Sequence, residues 1–270
     1  MFSTALTLKK FSIFFISLFV GCCLLVVGET RAQLQIPSFL QGDTAQQKDF
    51  VSPVTADDLG LTWSTNTYAP FTYLGKPLPT YESTVRISLL PLKQPKINLD
   101  NLIYKWYLDD VFQKYASGEN RQEFMFRPNS AAGTRSFVDL QIEDHEGNIY
   151  LKISTNVPII APEAVLYPAD GSTDESNLGA PSAAEISPGQ EQNFIALPFF
   201  FNISSPNDLE YQWTFNGQTI AKIDSPNKFS LKVAEGDLQE SFTRELSVSV
   251  VNPLNRIQMA SGKIEIAIKK

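Results

Sequence analysis

Two stretches of this chain, NLIYKWYLDD at 101–110 and DLEYQWTFNG at 208–217, carry one pattern at a fixed offset of 107 positions. The offset matches Leu102 with Leu209, Tyr104 with Tyr211, Trp106 with Trp213 and, upstream, Pro91 with Pro198. Each copy alternates apolar and polar residues around a central Trp and then runs into residues that favour a tight turn. A chain of 270 residues has room for two domains of roughly 100 residues, each with a core of its own. The repeat therefore predicts two similar units, with Tyr104 and Trp106 anchoring one core and Tyr211 and Trp213 the other.

Period-2 alternation continues through both halves. Val85, Ile87 and Leu89 alternate, as do Val138, Leu140 and Ile142; in the second half Leu246, Val248 and Val250 do so, then Ile264, Ile266 and Ile268. Alternation points a strand's apolar residues to one face, which suits two packed sheets. Asp109-Asp110 and Asn216-Gly217 follow the Trp strands, where a hairpin wants residues tolerant of positive φ. The fold class is all-β. An Ala-Pro junction near residue 161 divides the chain into a first domain at 57–160 and a second at 161–270. Because that junction is short and contains proline, the two cores are expected to share few contacts. The acidic loop at 171–192 falls inside the second domain, where LTWSTN and TYAPFTYLGKPLPTYE hold the matching place in the first.

The stretches YKWYLDD and YQWTFNG resemble the third strand of immunoglobulin-like and PKD-like domains, which show Tyr-x-Trp-x-x-x-(Asp/Asn)-Gly. Asp110 departs from the pattern where Gly is usual, which opens the question of the first turn's type. Over residues 57–270, LTWSTNTYAPFTYLGKPLP together with LIYKW and LEYQW resembles uncharacterised exported proteins of reduced-genome bacteria with paired Ig-like domains. That resemblance implies tandem Ig-like β-sandwiches and brings no catalytic, metal or cofactor residues with it.

Ahead of this lies a 32-residue segment to be set aside from the fold. Lys9 and Lys10 precede an unbroken apolar run from Phe11 to Val27, a basic n-region followed by an h-region. Thr30-Arg31-Ala32 suits cleavage before Gln33; at 17 residues the run also just reaches the length of a membrane-spanning helix. Residues 1–32 are thus a signal peptide or an N-terminal anchor, and 33–56, rich in Gln, Ser and Thr, a tether. With the lysine pair inside, the positive-inside rule puts everything after residue 32 outside the cytoplasm in both cases. Both cysteines, Cys22 and Cys23, lie within the run, so no disulfide staples the exported part. Phe19-Val20-Gly21-Cys22 is a poor lipoprotein box, since apolar residues continue past Cys22.

Without residues 1–32, which hold Lys9, Lys10, Arg31 and Glu29, nineteen basic and twenty-eight acidic residues remain, a net charge of −9. That balance excludes nucleic acid, whose binding needs clustered Lys and Arg. The single histidine, His145, sits in a polar turn, and zinc sites want several His or Cys at set spacing. Asp57, Asp58, Asp100, Asp109, Asp110, Asp144 and Glu146 would serve a weak calcium site if they met at one end of a sandwich. Asn202-Ile203-Ser204 matches a glycosylation acceptor that a bacterial source makes irrelevant.

The run LPFFFN, 197–202, cannot turn every ring to one face of a strand: Phe199 and Phe201 face one way and Phe200 the other. An outward Phe200 marks a contact between domains or with a partner; otherwise the strand is covered on both faces by a neighbouring loop. Tyr68, Phe71 and Tyr73 would line a sugar-binding strip or anchor their loop. The sequence thus predicts a non-catalytic binding, spacer or scaffold module at the cell envelope, needing no cofactor, with a protein partner. The alternatives are a carbohydrate-binding surface module and a calcium-binding adhesion module.

Overall fold

The computed structural model describes residues 50–94, 97–169, 183–221, 223, 225–236 and 239–270. The apolar run and most of the tether lie outside them. Sixteen strands follow in chain order: β1 (Leu59–Thr65), β2 (Val85–Pro91), β3 (Ile103–Leu108), β4 (Val111–Phe112), β5 (Gly118–Glu119), β6 (Glu123–Phe126), β7 (Arg135–Glu143), β8 (Ile149–Pro158), β9 (Glu163–Ala169), β10 (Ala183–Ile186), β11 (Glu191–Phe199), β12 (Glu210–Phe215), β13 (Gln218–Thr219), β14 (Lys228–Lys232), β15 (Phe242–Val251) and β16 (Met259–Ile268). The protein is all-β over the described residues.

In the first sandwich the sheet β1-β2-β6 faces the sheet β4-β3-β7-β8; in the second, β9-β11-β14 faces β10-β16-β15-β12-β13. Leaving out the short strands β4, β5, β10 and β13, the places of strands A, B and E in one sheet are taken by β1, β2 and β6 (in the second copy β9, β11 and β14). Those of C, F and G in the other are taken by β3, β7 and β8 (β12, β15 and β16), the division of an immunoglobulin-like sandwich. One buried cluster runs from Val54 to Ile159 and a second from Ala164 to Ile268. Trp106 and Trp213, both 0% exposed, are the largest side chains of the two clusters.

The repeat is kept atom by atom. The Tyr104 hydroxyl donates to Leu99 O at 2.6 Å, and the Tyr211 hydroxyl to Pro206 O at 3.0 Å, each closing onto a 3-10 turn before its Trp strand. The Trp106 indole N–H donates to Arg121 O at 2.7 Å and its ring stacks on Phe124. In the second copy the Trp213 indole donates to Pro226 O at 2.8 Å and its ring stacks on Phe229. In both, the accepting carbonyl lies three residues before the stacked Phe, so a buried indole is satisfied by the segment that leads into the strand packed on it. The copies differ at the Tyr: Tyr104 is fully buried, whereas Tyr211 is half-buried.

The turn question is also answered. Asp109 and Asp110 have φ of 48° and 65°, Asn216 and Gly217 of 47° and 79°, so both hairpins carry two consecutive left-handed residues, the requirement of a type I′ turn. Asp110 adopts the conformation that Gly217 adopts freely, and the Asp109 carboxylate holds it by accepting from Phe137 N at 2.8 Å.

Candidate functional site

Each sandwich has two ends. At one end of the first, β1 and β8 start while β2 and β7 finish; at the other the chain leaves β1 for the segment 66–84 and leaves β8 for the second sandwich. That segment is where the two copies part company. In the second sandwich the corresponding stretch supplies β10, which pairs in parallel with β16 over four residues. In the first, Pro77-Leu78-Pro79 takes the place of β10. Ile160 N donates to Pro79 O at 3.0 Å as Lys269 N donates to Ile186 O at 3.0 Å, but prolines supply no N–H for a ladder. Strand β10 itself was not legible in the sequence, because four residues of Ala, Ala, Glu and Ile carry too little alternation to stand out.

The rest of 66–84 reaches across to the second sandwich. Phe200 N donates to Tyr68 O at 2.6 Å and Tyr68 N to Phe201 O at 2.8 Å, a backbone bridge between the two sandwiches. The Asn66 amide donates to Asn202 Oδ1 at 2.7 Å while its oxygen accepts from Thr84 N at 2.7 Å. Tyr73 meets Phe199 and Phe200 edge to face at 5.9 and 5.4 Å between ring centroids. On the far side Lys76 lies over the Trp63 ring at 3.6 Å and ties the loop back to β1; partial burial draws that ammonium below the usual lysine range.

Gln258 is the centre of this junction, 1% exposed in the turn between β15 and β16. Its amide nitrogen donates to Thr80 Oγ1 at 3.2 Å and Tyr81 O at 2.8 Å in the first sandwich. Its oxygen accepts from Asn202 N at 2.9 Å and Asn252 Nδ2 at 3.0 Å in the second. Asn255 adds a bond to Glu82 Oε2 at 3.1 Å, with Glu82 held at a φ of 59°. A buried amide with both donors and two acceptor positions filled stabilises the arrangement that fills them and penalises every other. The two cores are separate, but the sandwiches are not joined by a bare linker. The expectation of few shared contacts concerned the cores alone and did not foresee the reach of 66–84 across the junction.

The aromatic residues singled out from sequence are distributed by this junction. Phe200 is not an outward ring: it has a φ of 64°, which breaks the strand's alternation, so Phe200 (4% exposed) and Phe201 are both buried. Phe201 enters the second core and Phe200 meets Tyr73. Tyr68 and Tyr73 are half-buried against the second sandwich, and only Phe71, 76% exposed, faces solvent, so the three form no strip for a sugar. Burial first, and then the neighbouring Tyr68, push the Tyr211 hydroxyl far above the usual tyrosine range. Gln258, Asn202 and Asn252 went unrecognised from sequence; polar residues in a turn give no periodic signal.

The remaining candidates lie elsewhere. His145 pairs with Glu119 at 3.3 Å, both exposed. Asp57, Asp58, Asp100, Asp144 and Glu146 stand at the end where β1 starts, while Asp109 and Asp110 stand at the opposite end of β3, so the acidic residues do not meet. Asp144 is drawn below the usual carboxylate range chiefly by the Asn148 side chain and then by backbone N–H groups of its own turn. Among the described residues no three His, Cys, Asp or Glu side chains gather as metal ligands would. Asn202 of the glycosylation-like triplet has its side chain in the junction.

No protein-family model and no curated protein sequence matches the chain. It is similar to solved structures of modules in series. The fibronectin(III)-like modules of Clostridium thermocellum CbhA are 11% identical with a TM-score of 0.26, covering 77% of this chain and 93% of that one. Immunoglobulin domains 1–4 of Sidekick-1 are 9% identical with a TM-score of 0.25, covering 78% and 75%. Bacteroides ovatus SGBP-B, solved with a mixed-linkage heptasaccharide, is 12% identical with a TM-score of 0.23, covering 78% and 47%. The sandwich assignment rests on the strand order described above.

Proposed function

We propose that the chain is an exported, non-catalytic tandem Ig-like module that acts as a fixed-geometry spacer or binding scaffold at the cell envelope. The cell-envelope setting is drawn from Lys9-Lys10 ahead of the apolar run at 11–27. The observation that carries the scaffold reading is the Gln258 junction. A spacer must resist bending where its modules meet, and here the polar groups buried at that point are satisfied by one another. None of Gln258's hydrogen-bonding positions is left for a substrate.

Spin labels at Tyr115→Cys and Leu254→Cys, one exposed position on each sandwich, test this in the full chain with Cys22 and Cys23 replaced by Ser. Double electron–electron resonance gives one narrow distance distribution if the junction is fixed, and a broad one in the added presence of Gln258→Ala. A broad distribution with Gln258 intact sinks the spacer reading. Orientation is tested separately by a reporter, active only in the cytoplasm, fused after residue 60; robust activity there overturns export.

A further inference from the structure

The second sandwich is gripped at one end, where β9 starts and β11 and β15 finish, and among the described residues no neighbouring sandwich covers the same end of the first. Leu90 and Leu92 stand at the positions of Leu197 and Phe199, 107 residues on. In the second copy Leu197 is buried, and Phe199 is half-buried with Tyr73 of the first sandwich against it. In the first copy Leu90 and Leu92 are about half exposed, and Phe50, Val51 and Ile149 add exposed apolar surface at the same end. Geometry brings these together: Leu92 N donates to Asp58 O at 2.8 Å just ahead of β1, Gly60 pairs with Leu90, and Phe50 packs on Tyr150 beside Ile149 at 4.9 Å between ring centroids.

What faces this end follows from where the chain comes in. Residue 50 enters here, at the opposite end from the junction, and the chain before it leads back through residues 28–49 to the apolar run. Whatever its conformation, a connection of that length is short: even a random coil of about 22 residues has a root-mean-square span of only about 25 Å, which keeps the sandwich at an effective concentration in the millimolar range over any surface the run is embedded in. A weak apolar foot is then enough. Among the described residues Asp57, Asp58, Asp100, Asp144 and Glu146 share this end with Lys93, a balance that offers anionic headgroups no attraction.

We propose that this end of the first sandwich rests on the bilayer, with Leu90, Leu92 and Val51 entering the headgroup layer of zwitterionic lipid; this depends on the membrane-anchored form of the reading above. Apolar side chains at an interface gain by leaving water even where no charge attracts them. The first sandwich thus stands on the membrane and carries the second at its far end.

The test uses the full chain in phosphatidylcholine vesicles, with C22S and C23S removing the native thiols. An environment-sensitive fluorophore is placed at L92C or, as a control on the second sandwich, at L254C. Flotation with the vesicles reads the anchor, and quenching by nitroxide-headgroup lipid reads the foot. The expected result is flotation of both samples, quenching several-fold stronger at L92C than at L254C, loss of that difference when L90E is added, and no gain when phosphatidylglycerol replaces part of the lipid. Flotation with equal quenching overturns the foot alone; failure to float overturns the anchored reading and the foot with it. A fluorescence shift at L92C that rises with protein density and is not quenched by the lipid nitroxide assigns the end to a second copy and overturns the lipid.

Discussion

The side-chain amide of Gln258 donates to the main-chain carbonyl of Tyr81 at 2.8 Å across 177 residues of sequence, and that bond joins two sandwiches with separate cores. The same amide accepts from Asn202 N, so one side chain connects the first sandwich's 66–84 segment with two turns of the second. Gln258→Ala leaves Tyr81 O, Asn202 N and Asn252 Nδ2 without this partner, at a cost of about 1–3 kcal/mol for each buried group that water does not reach. Calorimetry is expected to show the two sandwiches melting together with Gln258 in place and separating into two transitions in the variant. Two well-resolved transitions in the unaltered chain count against coupling.

The core tryptophans give the complementary experiment. Truncating Trp106 or Trp213 to Ala removes a fully buried ring, its indole hydrogen bond and its stacking on Phe124 or Phe229, worth about 3–5 kcal/mol. That is a large share of the roughly 5–15 kcal/mol that holds a domain together. Because the junction draws Phe200 and Asn202 from the second sandwich, Trp213→Ala is also expected to lower the melting of the first, through the lost junction bonds. In Trp213→Ala both surviving tryptophans, Trp63 and Trp106, belong to the first sandwich, so their fluorescence during urea unfolding follows that sandwich alone; a first sandwich indifferent to Trp213→Ala refutes the coupling.

The two type I′ turns predict opposite effects of substitution. Asp110→Gly relieves a left-handed non-glycine residue and is expected to stabilise by up to about 1 kcal/mol. Gly217→Ala meets no atom within 4 Å at its new Cβ, so its cost, about 1–2 kcal/mol, comes from the backbone alone. Urea midpoints measured on both variants check this. A destabilising Asp110→Gly means that the Asp110 side chain contributes more than its conformation costs.

Tyr104 sets an alkaline limit. Burial first, and the nearby Asp100 second, push its hydroxyl up to about 12, above its ordinary value of 10. The folded chain therefore holds the proton more tightly than the unfolded chain. The associated stability is fully present below pH 10 and is lost as pH rises towards 12. Tyr104→Phe is expected to flatten the fall in stability across that window while costing about 1 kcal/mol at neutral pH, where Leu99 O loses its donor. Chemical denaturation at a series of alkaline pH values reads both effects, and an unchanged slope in the variant assigns the alkaline limit to other groups.

Much of the fold lies in periodicity, and periodicity is local. Val85-Ile87-Leu89 and Val138-Leu140-Ile142 alternate because a pleated strand sends every second side chain to the core, so a short window of residues reports strand and face together. The Tyr-x-Trp repeat reports two cores for the same reason, and the turn pairs at 109–110 and 216–217 report their hairpins by residues that tolerate positive φ. What the tertiary structure alone decided is how the sandwiches meet. The bonds from Asn66 to Asn202, Asn255 to Glu82 and Gln258 to Thr80 span 136, 173 and 178 residues, and amides in turns follow no period. Phe200 shows the limit most sharply. Strand alternation sends it outward, yet its backbone turns left-handed where it bonds to Tyr68, and that φ is set by a partner more than 130 residues away that no window on the sequence contains.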